Sequence, residues 1–504
     1  MMGFRGMRTG APRRFRRVMA VGVLTLVLGA TACGTRANKG QIDEALGVSS
    51  SGRSGAVAPG TPGAVAGPTA STVLGAGGLP LPGGATGDTT PGATGPASAT
   101  ATASGTPGAD AAPSPSGGNG GATDVGVTAD SVTAANVSIL TGPVPGLFAG
   151  AVNGTDAFFQ YQNSLGGVYG RQLKLLPGDD QFDCGQNKAL TQADSSKALA
   201  FVGSFSLFDN CGADVFNANP TIPDVHNALS VTAQHEVNNF SSQPIRLGMQ
   251  TGVIDYFKAK NSDAVQHAAS LIGDVQSAKD SWTGEQAAMQ ARGYSFKYTR
   301  IYEPTETDFT ADIVRMQAAG VKMLILIAAD VKGIARIESA AAQQGFHPQI
   351  TALGASAYDP TLVPLAGAAS VEGAYFFLPT AMYLGEDRAV NSEVDLFLTW
   401  LSKTHPGANT DLFTVYGWAS ARLFVQALKA AGPKVTRVAL AAALKGIHGF
   451  TANGLFPPED PPTKTPSQCY IIAVVHGGKF ARVDDPGAAF RCDGQFWYYP
   501  NGSG

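Results

Sequence analysis

Short apolar runs alternate with longer amphipathic stretches through most of this chain, and the alternation predicts β-strands separated by α-helices. The first run is 136–140 (NVSIL), followed by the tight turn Gly142-Pro143-Val144-Pro145-Gly146. A helix then carries Ala157, Phe158, Tyr161 and Leu165 on one face and stops at Gly166-Gly167, where the alternating strand 172–176 takes over. A helix over 186–199, the strand 200–203 (AFVG) and a strand beginning at 223–225 follow. A strand at 245–249, then Gly252 and a helix from Val253, open a second series. That series reads as strand 268–273, helix 282–292 and strand 296–302. Next comes a helix capped by Thr307 or Asp308, with Ile313, Met316 and Gln317 on one face and Gly320 at its end. The strand 323–328, the helix 333–344 and the strands 350–353 and 371–378 complete it, and helices over 393–403, 413–431 and 437–446 come last. Strands joined by helices imply parallel sheets covered on both faces, an α/β fold.

The region 124–504 is longer than one hydrophobic core supports, since single cores stop growing at roughly 250–300 residues. Two doubly wound lobes are therefore expected. Residues 1–32 stand outside the fold: six arginines between Arg5 and Arg17 precede an apolar run from Val18 to about Ala30, the pattern of a secretory signal too short to be a permanent membrane span. The pair Arg13-Arg14 leaves twin-arginine export open beside the general route. From about 49 to 121 the chain is Gly, Ala, Thr, Pro and Ser with Arg53, Asp88 and Asp110 as its only charges. Such a segment buries too little to offset its ordering entropy and is expected to be a disordered tether, with a reach of roughly 45–50 Å. The formal net charge of -3 and the absence of a basic stripe argue against a nucleic-acid partner. Of five cysteines, Cys184, Cys211, Cys469 and Cys492 follow Cys33, and none forms a CxxC pair that would suggest zinc or thiol redox chemistry. Three pairings are possible. The two local ones, Cys184 with Cys211 and Cys469 with Cys492, are favoured because each joins segments flanking one or two elements, and a loop of that size stabilises by roughly 3–4 kcal/mol in the chain-entropy model.

Two phrases carry a resemblance. The stretch 163–180, NSLGGVYGRQLKLLPGDD, and the later YEPTETDFTADIVRMQAAGVKMLILIAA resemble segments of type I periplasmic binding proteins, in the branched-chain amino-acid-binding branch of ABC-transporter receptors. The similarity runs over residues 130–450. It implies two doubly wound parallel-sheet lobes joined by a three-stranded hinge, lobe 1 at about 130–248 and 379–450 and lobe 2 at about 249–378 and 451–504. The Cys184–Cys211 pairing also resembles the amino-lobe disulfide of that family. Separately, Ala30-Thr31-Ala32-Cys33-Gly34 is similar to the lipobox of bacterial lipoproteins, with Ala30 where leucine is usual. This implies removal of 1–32, lipidation of Cys33 and a tether over 33–123.

No enzyme constellation is present: HExxH, a P-loop and G-x-S-x-G are all missing, and the seven histidines lack ligand spacing. The adjacent carboxylates Asp179-Asp180 point to opposite faces of a strand, so strand-end and capping roles are expected for them. No cofactor and no metal are implied. In an α/β sheet a ligand meets the carboxyl ends of the strands, where loops and helix amino termini converge. Those loops contain Phe148, Ser204, Ser206, Asn227 and Ser230 in the first lobe, and the resemblance implies that such hydroxyls hold a ligand carboxylate. In the second lobe they contain Trp282, Asp330, Ser356 and Tyr358, with Trp282 expected at the cleft mouth because Lys279-Asp280-Ser281 before it is polar. The family's tyrosine-glycine pair becomes Trp282-Thr283-Gly284, and its acidic ligand residue becomes Ala355 or Ser356. These departures argue against branched-chain amino acids and leave Asp330 as the nearby carboxylate.

The expectation is an exported, monomeric lipoprotein, anchored by lipid to the outer face of the cytoplasmic membrane. It captures a small polar, amino-acid-like ligand between two lobes and delivers it to an ABC permease. The alternative is a ligand-sensing lipoprotein that signals to a membrane partner without transport.

Overall fold

The strand that centres the first sheet is β1, Ser131–Ser138, which starts five residues before the apolar run at 136–140. Ser131 and Thr133 hide its start in the sequence, while its inner polar side chains are paired. Asn136 Nδ2 donates to the Val202 carbonyl at 3.0 Å and Ser138 Oγ to Asn136 Oδ1 at 2.7 Å, so polar groups sit in a buried strand without an unmet hydrogen bond. This computed structural model describes Asp110 and residues 117–327, 329–483 and 490–499. The signal, Cys33 and the tether up to residue 109 lie outside the described residues.

Around β1 the first sheet is parallel, in the order β2 (Gln172–Asp179), β1, β3 (Ala200–Val202), β4 (Asp224–Val225). The chain then passes to a seven-stranded sheet ordered β12 (Lys479–Arg482), β11 (Ile471–His476), β10 (Tyr375–Leu378), β9 (Ile350–Leu353), β8 (Met323–Leu326), β6 (Ala268–Gly273), β7 (Phe296–Tyr302). From β10 to β7 the strands are parallel, whereas β11 pairs antiparallel with β10 and β12 with β11, as expected of a mixed sheet whose edge is built by a returning tail. Between β10 and β11 the helices Ser392–Thr404, Leu412–Ala431 and Arg437–Leu444 return to the first sheet. Three passages between lobes result. A further pair joins β5 (Gly248–Gln250) to β13 (Phe496–Tyr498).

The helices Ala149–Ser164 and Leu412–Ala431 make the closest helix pair of the first lobe. A Cβ on Gly154 would stand 1.9 Å from the Thr414 carbonyl oxygen, and one on Gly417 would stand 2.1 Å from that of Ala151. Glycine is what lets these backbones touch. Asp179 Oδ1 accepts from the backbone of Leu140 at 3.0 Å and Thr141 at 3.1 Å, while Asp180 accepts from Phe182 N at 3.1 Å and Asn187 Nδ2 at 3.0 Å, so each carboxylate ties down strand-end loops. Disulfides join Cys184 to Cys211 and Cys469 to Cys492, with Cα separations of 5.5 and 4.2 Å. The first staples the helices Cys184–Asp194 and Asp209–Ala218. The second closes the tail beside β11.

Candidate ligand cleft

A cavity of about 340 Å³ lies between the lobes, within the roughly 300–1,000 Å³ that small-ligand sites occupy. Its first-lobe wall is a set of rings. Phe148 meets Phe205 at 4.7 Å and Phe413 at 4.6 Å between centroids, and Phe205 stacks on Tyr416 at 5.8 Å. Leu147, Leu207 and Leu229 extend that apolar surface. The opposite wall comes from the strand ends of the second lobe, with Val275, Ala278, Ile327, Ala329, Ala355 and Ser356, and the crossings add Gln243–Arg246 and Phe377.

Few polar groups break this surface, and four, Arg246, Glu285, Asp330 and Glu459, are charged in their ordinary state. Arg246 donates from Nε to the Lys464 carbonyl at 3.0 Å and forms no ion pair among the described residues. Glu285 accepts from Ser281 Oγ at 2.7 Å through Oε1, while its Oε2 is shut off from solvent without a partner. Burial lifts that carboxyl to about 7, against the smaller downward pull of the Ser281 bond. Glu459 accepts from Ser467 N at 2.8 Å, yet burial still holds its carboxyl well above the ordinary range.

Three of the nine sequence-predicted ligand residues line this cavity: Phe148, Asp330 and Ser356. Asp330 is engaged as a helix cap, accepting from Lys332 N and Gly333 N at 3.0 Å, and Ser356 Oγ donates to the Ala329 carbonyl at 2.9 Å. The other six turn away, each for a local reason. Ser204 Oγ accepts from Val137 N at 3.0 Å, and Ser206 Oγ donates to Asp180, so both are spent on the sheet. Asn227 Oδ1 accepts from Ser241 and Ser242, and Ser230 caps a short helix by accepting from Ala233 N at 3.2 Å. Tyr358 is 0% exposed and donates its hydroxyl to Glu386. Trp282 is corrected from cleft mouth to core: its helix is Gln276–Ala291, beginning more than a turn earlier than expected, so the indole is 7% exposed and packs edge-on against Phe296 at 5.3 Å.

Sequence reasoning missed Phe205, Arg246, Glu285, Phe413 and Tyr416. The period-two rule held a clue to the first, because side chains alternate along extended backbone. If Ser204 and Ser206 serve the sheet, Phe205 between them faces the cleft.

A cleft between two α/β lobes linked by three passages suits a protein that closes on a ligand, and the chain matches the periplasmic binding protein family over residues 131–479. The chain belongs to that family, as a type I periplasmic binding protein. Proteins of this family serve ABC transporters as extracytoplasmic substrate-binding components and are not enzymes. A branched-chain amino-acid ABC transporter protein from Thermus thermophilus with bound valine is similar at TM-score 0.61 and 16% identity, over 71% of this chain and 96% of that one. A fatty acid ABC transporter substrate-binding protein from Thermomonospora curvata is similar at TM-score 0.60 and 17% identity, over 75% of this chain and 95% of that one. An R. palustris solute-binding protein in complex with benzoate gives TM-score 0.60 at 14% identity, over 73% and 98% of the two chains. At these identities the likeness is one of fold. No curated protein sequence matches the chain. Among the described residues of this binding protein, no helix is long and apolar enough to cross a membrane.

Proposed function

We propose that this periplasmic binding protein captures an organic acid with an apolar body, aromatic or aliphatic, and hands it to an ABC permease from a lipid anchor at Cys33. The observation that carries the reading is the composition of the cleft: a wall of four rings, with Arg246 as a cation that no carboxylate of the protein neutralises among the described residues. An apolar body gains from leaving water against that wall, and a carboxylate gains a charge-assisted bond from a guanidinium in a dry site. Glu285, lifted to about 7, is protonated about half of the time near neutral pH, and in that form it donates to such a ligand rather than repelling it. A free α-amino acid would have to set its ammonium group against Asp330, whose Oδ1 is already spent on capping its own helix. The small polar ligand implied by the family resemblance gives way to this apolar acid. The fatty acid and benzoate named for two similar folds accord with it.

The test is a thermal-shift screen of the mature chain with decanoate, benzoate, leucine, valine, glutamine and glucose, since a ligand of the folded state raises apparent stability. Decanoate or benzoate should raise the transition, and Arg246→Met should weaken that ligand at least tenfold while leaving the unliganded transition in place. Stabilisation by leucine or glutamine alone would overturn the ligand class. The anchor has its own test: Cys33→Ser should move the protein from the membrane fraction to the soluble one.

A further inference from the structure

The back of the first lobe, away from the cleft, holds a second built site for a carboxylate. Arg422 is 6% exposed on the helix Leu412–Ala431, and Glu393 is 2% exposed on Ser392–Thr404. Glu393 uses its two oxygens fully, accepting from Trp418 Nε1 at 2.6 Å, from Arg422 Nε and Nη2 at 2.7 Å each, and from Asn453 Nδ2 at 3.2 Å. Arg422 Nη1 is left over. Its acceptor is Asp110, a residue of the low-complexity linker, whose Oδ1 lies 3.1 Å away. The same aspartate meets Arg422 Nη2 at 3.3 Å and Tyr161 OH at 2.8 Å, and its backbone carbonyl accepts from Gln162 Nε2 at 3.1 Å and from Lys429 Nζ. Tyr161 is itself fixed between Trp400 and Trp418.

We infer that this notch is a clamp for the linker: Asp110 docks into it, so that the tether leaves the domain from the helical back of the first lobe rather than from the start of β1. The charges argue for a dedicated seat. Arg422 and Lys429 bring two cations and Glu393 one anion, so a second carboxylate balances the set, and it also gives a buried guanidinium N–H the acceptor it otherwise lacks. A neutral linker residue could supply an acceptor but would leave the charges unbalanced. Asp110 and Asp88 are the two acids of the low-complexity stretch 49–121, and Asp110 is the one found in the notch. Farther on, Arg171 donates to the carbonyls of Asn119 and Gly121, so the chain is held again before the first strand. The consequence is mechanical: the clamp at Asp110 fixes which face of the domain carries the tether.

The two aspartates of the low-complexity stretch 49–121 supply the test, because a protease that cuts before aspartate has one site there at Asp88 and one at Asp110. In the native mature protein, cleavage at Asp110 should be at least tenfold slower than at Asp88, after each rate is divided by that of a synthetic peptide with the same flanking residues. Tyr161→Phe combined with Lys429→Met removes two of the partners of Asp110 and should speed cleavage there at least threefold without altering the thermal transition of the second lobe. Equal rates in the wild-type protein would overturn the clamp. Protection at Asp110 that the double substitution leaves at its full wild-type value would assign it to something other than this notch, and would overturn it too.

Discussion

Replacing Gly154 by alanine is expected to destabilise the domain by about 2–4 kcal/mol, the upper part of what overpacking costs. Two effects oppose each other at this position. Alanine is the better helix former by about 1 kcal/mol, which on its own would make the change stabilising. Against that, the new methyl would lie 1.9 Å from the Thr414 carbonyl oxygen and 2.9 Å from Trp418 N. Both are backbone atoms of the facing helix, so no rotamer change relieves the contact and the helices Ala149–Ser164 and Leu412–Ala431 must separate. Separation loosens the packing of Phe158 against Trp418, whose rings meet edge-on at 4.9 Å, and tilts the helix that carries Phe413 and Tyr416 into the cleft. Repulsion between backbones therefore outweighs propensity. Gly185→Ala is the control: it too lies in a helix, but its Cβ would approach only Asp183 Oδ1, at 3.2 Å, so it should stay within about 0.5 kcal/mol of the wild type. Urea unfolding of the two variants decides the matter, and equal midpoints would show that the helix contact yields more easily than its geometry says.

The elements were legible where period and punctuation agreed. The strands Ala268–Gly273, Phe296–Tyr302 and Ile350–Leu353 have the bounds that their apolar runs predict, and the helix Leu412–Ala431 differs by one residue. The family resemblance rests instead on two phrases, 163–180 and the stretch from Tyr302, and the lobe count on length. Boundaries were lost where polar residues belong to an element's interior. Ser131 and Thr133, with the small Ala134 and Ala135, hid the start of β1, and the polar turn Gln276–Asp280 hid the start of the helix that carries Trp282. That second miss displaced a functional expectation, because a helix starting a turn and more earlier rotates Trp282 onto its buried face.

The cleft was harder to read, since its aromatic wall joins Phe148 and Phe205 to Phe413 and Tyr416 from a helix near the other end of the fold. No local pattern connects such positions. The serines at strand ends were visible, but whether a hydroxyl faces a ligand or its own sheet depends on a neighbour such as Val137 N or Asp180 that only the folded chain brings near.

Glu338 gives the other large effect, one that depends on pH. It lies 4% exposed on the inner face of the helix Val331–Gln343, beside Ile334, Ile337 and Ala341, and its Oε1 has no hydrogen-bond partner. Burial alone raises its carboxyl from 4.5 to about 8. Between those values the folded protein holds a proton that the unfolded chain has lost, so the contribution is fully present below about pH 4.5 and disappears as pH climbs toward 8. At about 1.4 kcal/mol for each pH unit, keeping this group neutral at pH 7 costs roughly 3 kcal/mol as an upper bound. Glu338→Met keeps the side-chain length, removes the titrating group and suits the apolar face. The variant should match the wild type near pH 4.5 and exceed it by about 2–3 kcal/mol at pH 8, the difference widening steadily between. Other buried carboxyls, Glu236 among them, tilt the wild-type curve in the same direction, so the measurement that isolates this residue is the difference between the two proteins. A difference that stays constant from pH 5 to pH 8 would mean that Glu338 reaches water or a partner in solution and ionises there as an ordinary glutamate does.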